Sequence, residues 1–218
     1  MATHGKTRKS SSGTGVSEDI PIFPSTPDAG AVPAFNLANH FLIAMPSMLD
    51  PVFGGTVVYL CEHNDQGALG VIINKPTDMS MDLLFERIDL ELEITLQPDA
   101  HPVMFGGPVQ VERGFVLHSP HTTYSSTMRV TEAIALTTSK DILEAAAAGS
   151  GPDKILVALG CAGWSAGQLE EEIGRNGWLT VPADPAIVFD LPIEQRFVAA
   201  MKLLGIDPAM LAGVAGHA

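Results

Sequence analysis

The chain has 218 residues, 46% of them apolar, a formal net charge of −13 and two cysteines. That apolar share is enough for a real core, no apolar run approaches the ~20 residues of a membrane helix, and two cysteines do not make a disulfide framework. Residues 1–35 carry three basic and three acidic residues, so the whole negative excess falls on 36–218. Such a surface repels phosphate backbones and argues against direct nucleic-acid binding.

Residues 1–35 are rich in Ser, Gly, Pro and Thr and read as a disordered leader. One domain is expected over 36–218. The basic N-terminus is not followed by an apolar segment, so it does not read as a secretory signal, and a cytoplasmic protein with reduced thiols is expected. Phe41–Met45 is a short strand that Pro46 stops, and Met48–Phe53 is a turn or one helical turn. Thr56–Pro76 reads as a hairpin. Val57–Leu60 suits a pleated surface, Asn64-Asp65-Gln66-Gly67 supplies the turn, and Ala68–Ile73 is a strand buried on both faces.

Ser80 is placed to cap a helix through Arg87. Ile88–Leu96 alternates apolar and polar residues, the period of a strand with one wet face. Pro98–Pro102 reads as a loop, and Val103–Phe105 as a strand ending at Gly106-Gly107-Pro108. Gly114–His118 and Ala133–Leu136 read as strands, and Ser139 as the cap of an alanine-rich helix that Gly149 ends. After a buried strand at Lys154–Leu159, Gly160–Gly167 reads as a glycine loop opening a helix at Ser165, with Ser165-x-x-Gln168 as a capping box. Trp178–Val181 and Ala186–Phe189 read as strands. A last helix starts at Pro192, shows one face through Ile193, Phe197, Met201 and Leu204, and closes at Gly205. Strands outnumber helices and come as hairpins and pairs rather than βαβ units, which argues α+β with a mixed sheet.

Strand alternation puts Cys61 and His63 on one face, with Glu62 on the other. An imidazole beside a thiol can lower its pKa, so Cys61 with His63 is a candidate activated thiol. Side chains two apart on a strand stand about 6–7 Å apart at Cα, so proximity does not yet mean contact. The competing reading is a buried, inert cysteine. A metal held by Glu62, His63, Asn64 and Asp65 would need partners such as His118 or His121, and no ligand spacing supports it. Gly163-Trp-Ser-Ala-Gly167 matches the G-x-S-x-G elbow, with Asp184 or Asp190 and His217 downstream. The Gly160-Cys-Ala spacer and the capping role of Ser165 argue against it. Neither phosphate-binding fingerprint is complete in this loop.

The segments His40–Pro46, Asp50–Phe53, Val57–Asn64, Gly70–Pro76, Phe105–Val109, Arg113–His118, Thr137–Asp141, Gly167–Ile173 and Asn176–Thr180 resemble, in order, those of the AlgH/YqgE family of bacterial proteins, as does the C-terminal G-V-A-G-H-A. The resemblance implies an α+β domain with a mixed, mostly antiparallel, bifurcated and partly barrel-like sheet surrounded by helices. One branch of the family is named as a regulator of alginate synthesis, with no accepted DNA-binding motif, enzyme activity or cofactor. The leading expectation is therefore a non-catalytic regulatory or ligand-binding protein. Its functional surface would gather Cys61–Lys75 and Gly106–Pro108, with Asn74, Lys75, Gly106, Gly107, Pro108 and Arg113 as candidate contacts to a small anionic ligand, or to a protein partner. The alternatives are a thiol enzyme or redox sensor using Cys61 and His63, and a DNA-acting regulator, which the charge disfavours. No cofactor is indicated.

Overall fold

The structure, a computed structural model, describes residues 36–91 and 102–206. The expected leader, most of the expected strand at Ile88–Leu96 and the C-terminal G-V-A-G-H-A lie outside the described residues. The first two elements after the start are β1 (His40–Ala44) and β2 (Val57–Asn64), followed by β3 (Gly67–Ile72) and β4 (Pro76–Ser80). Then come α1 (Met81–Arg87), β5 (Pro102–Phe105), β6 (Val109–Ser119), β7 (Thr127–Arg129), β8 (Ala135–Thr137) and α2 (Asp141–Ala147). The chain continues through β9 (Lys154–Ser165), α3 (Gln168–Gly174), β10 (Trp178–Pro182), α4 (Pro185–Phe189) and α5 (Ile193–Leu203). Among the described residues no helix is long and apolar enough to cross a membrane.

The strands form one forked, half-barrel sheet in the order β10-β1-β2-β3-β9-β6-β8-β7, with β5 joined to β9 and β4 to β5. Among the described residues only the β5–β9 pair is parallel. The fork lies on β9. Its first half pairs β5 at Ala158 and Leu159, and its second half pairs β3 from Ala162 to Ser165. Between them Gly160 takes a φ of 74°, which lets the strand turn from one neighbour to the next. This α+β architecture is the one expected; the difference is that Gly160–Ser165 is strand, not loop.

Local chemistry explains most boundaries. Ser80 caps α1 by accepting from the Leu83 N–H at 3.3 Å. Helix α1 ends at Arg87, and Ile88 is its C-cap, so the expected strand does not begin there. Pro102, expected in a loop, opens β5. Ser139 does not cap α2. Its hydroxyl donates to Asp141 Oδ1 and its oxygen accepts from the Ser126 N–H, while Asp141 Oδ1 accepts from the Ile142 N–H. Nor does Ser165 begin a helix. It ends β9, and only half the capping box forms, its N–H donating to Gln168 Oε1 at 3.0 Å. The expected strand at Ala186–Phe189 is the helix α4, because Asp184 accepts from the Ala186 N–H and Pro185 supplies a first-turn residue with φ already helical. Pro192 is the N-cap of α5 rather than its first helical residue.

Two apolar layers hold the sheet. Leu42, Val58, Leu60, Ile72, Trp164 and Trp178 pack with Leu169 of α3 on one side of β1–β3, and α5 lies against β1 and β2. A second cluster joins Leu84 and Phe85 of α1 with Ile142 and Leu143 of α2 over Val103, Val116 and Val157.

Candidate functional site

The hairpin carries a β-bulge at Cys61. Leu60 pairs Gly70 and Glu62 pairs Leu69, so two residues of β2 advance against one of β3. The bulge resets the alternation that would have put Cys61 and His63 on one face. His63 turns to the side of Leu60, where its Nδ1 accepts from the Leu37 N–H at 3.0 Å and its Nε2 meets Glu170 Oε1 at 2.9 Å. Because Nδ1 accepts, the ring hydrogen sits on Nε2 and is donated to Glu170. The imidazole is thus committed to Leu37 and Glu170 instead of serving as a base for the thiol.

Cys61 is buried, and its thiol Sγ lies 3.7 Å from the Tyr59 carbonyl oxygen. Burial pushes this thiol well above its ordinary pKa, and neighbouring Cys161 and Glu62 add to the rise. The Cys161 thiol is pushed up to about 11 by burial, with Arg113 pulling the other way. Both cysteines are free and buried. Strand β3 runs between β2 and β9, which sets the two about 9–10 Å apart at Cα, beyond disulfide reach.

The other residues expected at a site make contacts within the chain. Asn74 Oδ1 accepts from the Val57 N–H, and its Nδ2 donates to the Gly55 carbonyl. Lys75 Nζ donates to the carbonyls of Pro51 and Val52 and stands 5.3 Å from the centre of the Phe105 ring. Arg113 Nη2 donates to Thr138 Oγ1. Gly106 and Gly107 fill the fork of the sheet. The Gly106 N–H donates to Leu159 O and its carbonyl accepts from the Ile72 N–H. A Cβ at Gly106 would sit 2.1 Å from the Gly160 carbonyl oxygen, and one at Gly107, whose φ is 147°, 2.3 Å from the Cys161 carbonyl. The close approach is to backbone. Pro108, exposed, leads out of this turn.

Among the described residues no triad forms around the G-x-S-x-G segment. Asp190 pairs Lys154 at 2.6 Å, at the opposite end of β9 from Ser165 and about 30 Å along the strand. Asp184 is spent capping α4, and His217 lies outside the described residues. Among the described residues no three His, Cys, Asp or Glu side chains gather at metal-binding distance.

A concavity lies elsewhere. A cleft of about 700 Å³ opens between α1, the start of β9, β5 and the α4–α5 corner. Phe85, Met104, Val157, Val188 and Ile193 give it apolar walls, and Asp153, Asp190 and Glu194 stand along it. Arg196 of α5 belongs to it as well and is only 7% exposed. Its Nη1 donates to the Ile73 carbonyl at 2.5 Å and its Nε to the Leu191 carbonyl at 3.1 Å. No carboxylate among the described residues lies within ion-pair distance of it. Burial lowers its pKa to about 10, with Glu194 acting the other way, so it stays a cation at neutral pH. Of the residues singled out in the sequence for a site, Asp190, weighed there as a triad acid, is the one that lines this cleft.

Comparison with known proteins places this architecture. The AlgH-like family model matches residues 41–209. The chain belongs to the AlgH-like family. A UPF0301 protein of Ralstonia nicotianae is 62% identical over 195 residues, covering 89% of this chain and all of the relative. One from Cupriavidus metallidurans is 64% identical over 184 residues, or 84% of this chain and 96% of its own. The solution structure of the AlgH protein of Pseudomonas aeruginosa superposes with a TM-score of 0.70 at 49% identity, over 87% of this chain and 99% of that one. A Corynebacterium diphtheriae protein, DIP2367, shares the fold at a TM-score of 0.60 and 19% identity, over 76% and 86% of the two chains. In this AlgH-like chain the residues missed by sequence reading are Glu170 and Arg196. The partner of Glu170, His63, is 107 positions away. Arg196 carried a signal: it falls three after Ile193 and four before Ala200, inside an otherwise apolar helical stripe.

Proposed function

We propose that this AlgH-like protein is a non-catalytic, small-ligand-binding protein of regulatory type, and that its ligand occupies the cleft at the α4–α5 corner. The observation that carries the reading is the combination in one concavity of apolar walls and a buried guanidinium with no carboxylate at ion-pair distance among the described residues. A volume of about 700 Å³ suits a small metabolite. The thiol reading has less support, because both cysteines are buried with raised pKa values and the His63 ring is held by Leu37 and Glu170. Two free cysteines also fit a reducing compartment, in keeping with a cytoplasmic protein.

The test is a fragment screen followed by amide NMR. Binding fragments are expected to shift resonances around Val157, Val188 and Ile193. Shifts gathered instead at Cys61–Lys75 or Gly106–Pro108 would move the site back to the hairpin and fork and overturn this assignment.

A further inference from the structure

Arg196 has five N–H donors, and backbone carbonyls of Ile73 and Leu191 engage Nη1 and Nε. Nη2 has no hydrogen-bond partner among the described residues, yet no fully buried side-chain nitrogen is left orphaned, so Nη2 keeps some exposure, and Arg196 lines the cleft. The residue is only 7% exposed, and its hydrogen bonds go to neutral backbone carbonyls. A desolvated cation of this kind favours an anion that accepts a charge-assisted hydrogen bond from its remaining N–H groups.

The rest of the cleft limits what that anion can be. Asp190 is neutralised by Lys154, but Asp153 and Glu194 add negative charge without an ion-pair partner among the described residues. With two exposed carboxylates beside the one buried cation, a phosphate dianion is opposed more strongly than a single negative charge seated directly on the guanidinium. Phe85, Met104, Val157, Val188 and Ile193 then call for an apolar body. Resting on the reading of this cleft as the binding site, we infer that its ligand class is a monocarboxylate with an apolar body, the carboxylate seated on Nη2 of Arg196. Arg196 thereby has two roles: it ties α5 to the end of β3, and it selects the ligand's head group.

The experiment titrates the full chain at pH 7.5 with octanoate, 1-octanol and octyl phosphate, read by amide NMR and calorimetry. Octanoate is expected to bind about tenfold or more tighter than octanol, the size of a charge-assisted pair, and tighter than octyl phosphate. Arg196→Gln should abolish that preference while octanol binding persists. Since Arg196 also holds two carbonyls and its variant can lose the fold, Glu194→Gln serves as the second variant. It removes an exposed carboxylate and should tighten octanoate by about threefold with octanol unchanged. Equal binding of octanoate and octanol at Val188 and Ile193 would overturn the carboxylate assignment and leave the cleft as the site. Tighter binding of octyl phosphate would overturn it in favour of a dianion. No shift in the cleft with any of the three would overturn both readings.

Discussion

Replacing Gly106 by alanine puts a methyl carbon 2.1 Å from the Gly160 carbonyl oxygen and 2.9 Å from the Ala158 Cβ. Gly106 does not have a left-handed φ, so the cost is one of space alone. Backbone cannot swing aside as a side chain can. Overpacking costs about 1–3 kcal/mol, and the two hydrogen bonds of Gly106, to Leu159 at 2.8 Å and from Ile72 at 2.9 Å, contribute about 1 kcal/mol each. Together the expected loss is about 3–5 kcal/mol, a large part of the roughly 5–15 kcal/mol that a domain has. At this chain length it corresponds to a Tm lower by about 10 °C. Two glycines give the scale. Gly205 has a φ of 71° but open space around it, so Gly205→Ala should cost only about 1–2 kcal/mol. Gly174 ends α3 with nothing within 4 Å, and Gly174→Ala should be neutral or stabilise by up to about 1 kcal/mol. Urea unfolding of the three variants, compared at equal m-value, measures the order. If Gly106→Ala costs no more than Gly205→Ala, the closure of the fork by backbone contact is wrong.

Three further outcomes are expected. His63→Ala leaves the buried Leu37 N–H without its acceptor and should destabilise by about 1–3 kcal/mol, measured by urea unfolding; an unchanged midpoint would refute the role of Nδ1. Cys61 and Cys161 should react with a disulfide reagent at pH 7.5 only as the chain unfolds, so a native-state rate matching a free thiol would contradict their burial and raised pKa values. For His118, burial holds the ring below its ordinary value of 6.5, and His121 adds to the lowering against the Pro120 carbonyl. Its contribution is complete above 6.5 and is lost as pH falls below it toward the lower folded-state value, because there the unfolded chain takes up a proton that the folded chain refuses. Stability measured from pH 7.5 to 5 should therefore fall less steeply in His118→Gln than in the parent chain.

The sequence is explicit where local chemistry decides the structure. Turn residues mark the β2–β3 hairpin, Ser80 marks the start of α1, and the apolar stripe marks α5. Reading fails where the deciding partner is remote. Glycines ordinarily punctuate strands, but Gly160 lets β9 continue because Gly107 and β3 are waiting on its far side. Strand β4, Pro76–Ser80, has no apolar run and owes its form to pairing with β5. Residues 109–113 of β6 are exposed and irregularly paired, so their alternation carries no core signal. At the site, a single extra residue at Cys61 overturned a face assignment that strict alternation had made. Asn74, Lys75 and Arg113 have the chemistry of ligand contacts, and their partners are carbonyls, an amide, an aromatic ring and a hydroxyl of the chain itself.

The order of strands also says when this protein can fold as it is synthesised. Strands β1, β2 and β3 are neighbours in the chain and can form a meander as soon as they emerge. Each of its two edges must then wait: β3 for β9, which starts at Lys154, and β1 for β10, which ends at Pro182. Until the ribosome has passed that point, a meander rich in buried apolar residues has two open edges, the arrangement most prone to pairing with another nascent chain. Truncations ending before Pro182 should therefore aggregate rather than yield a smaller folded unit.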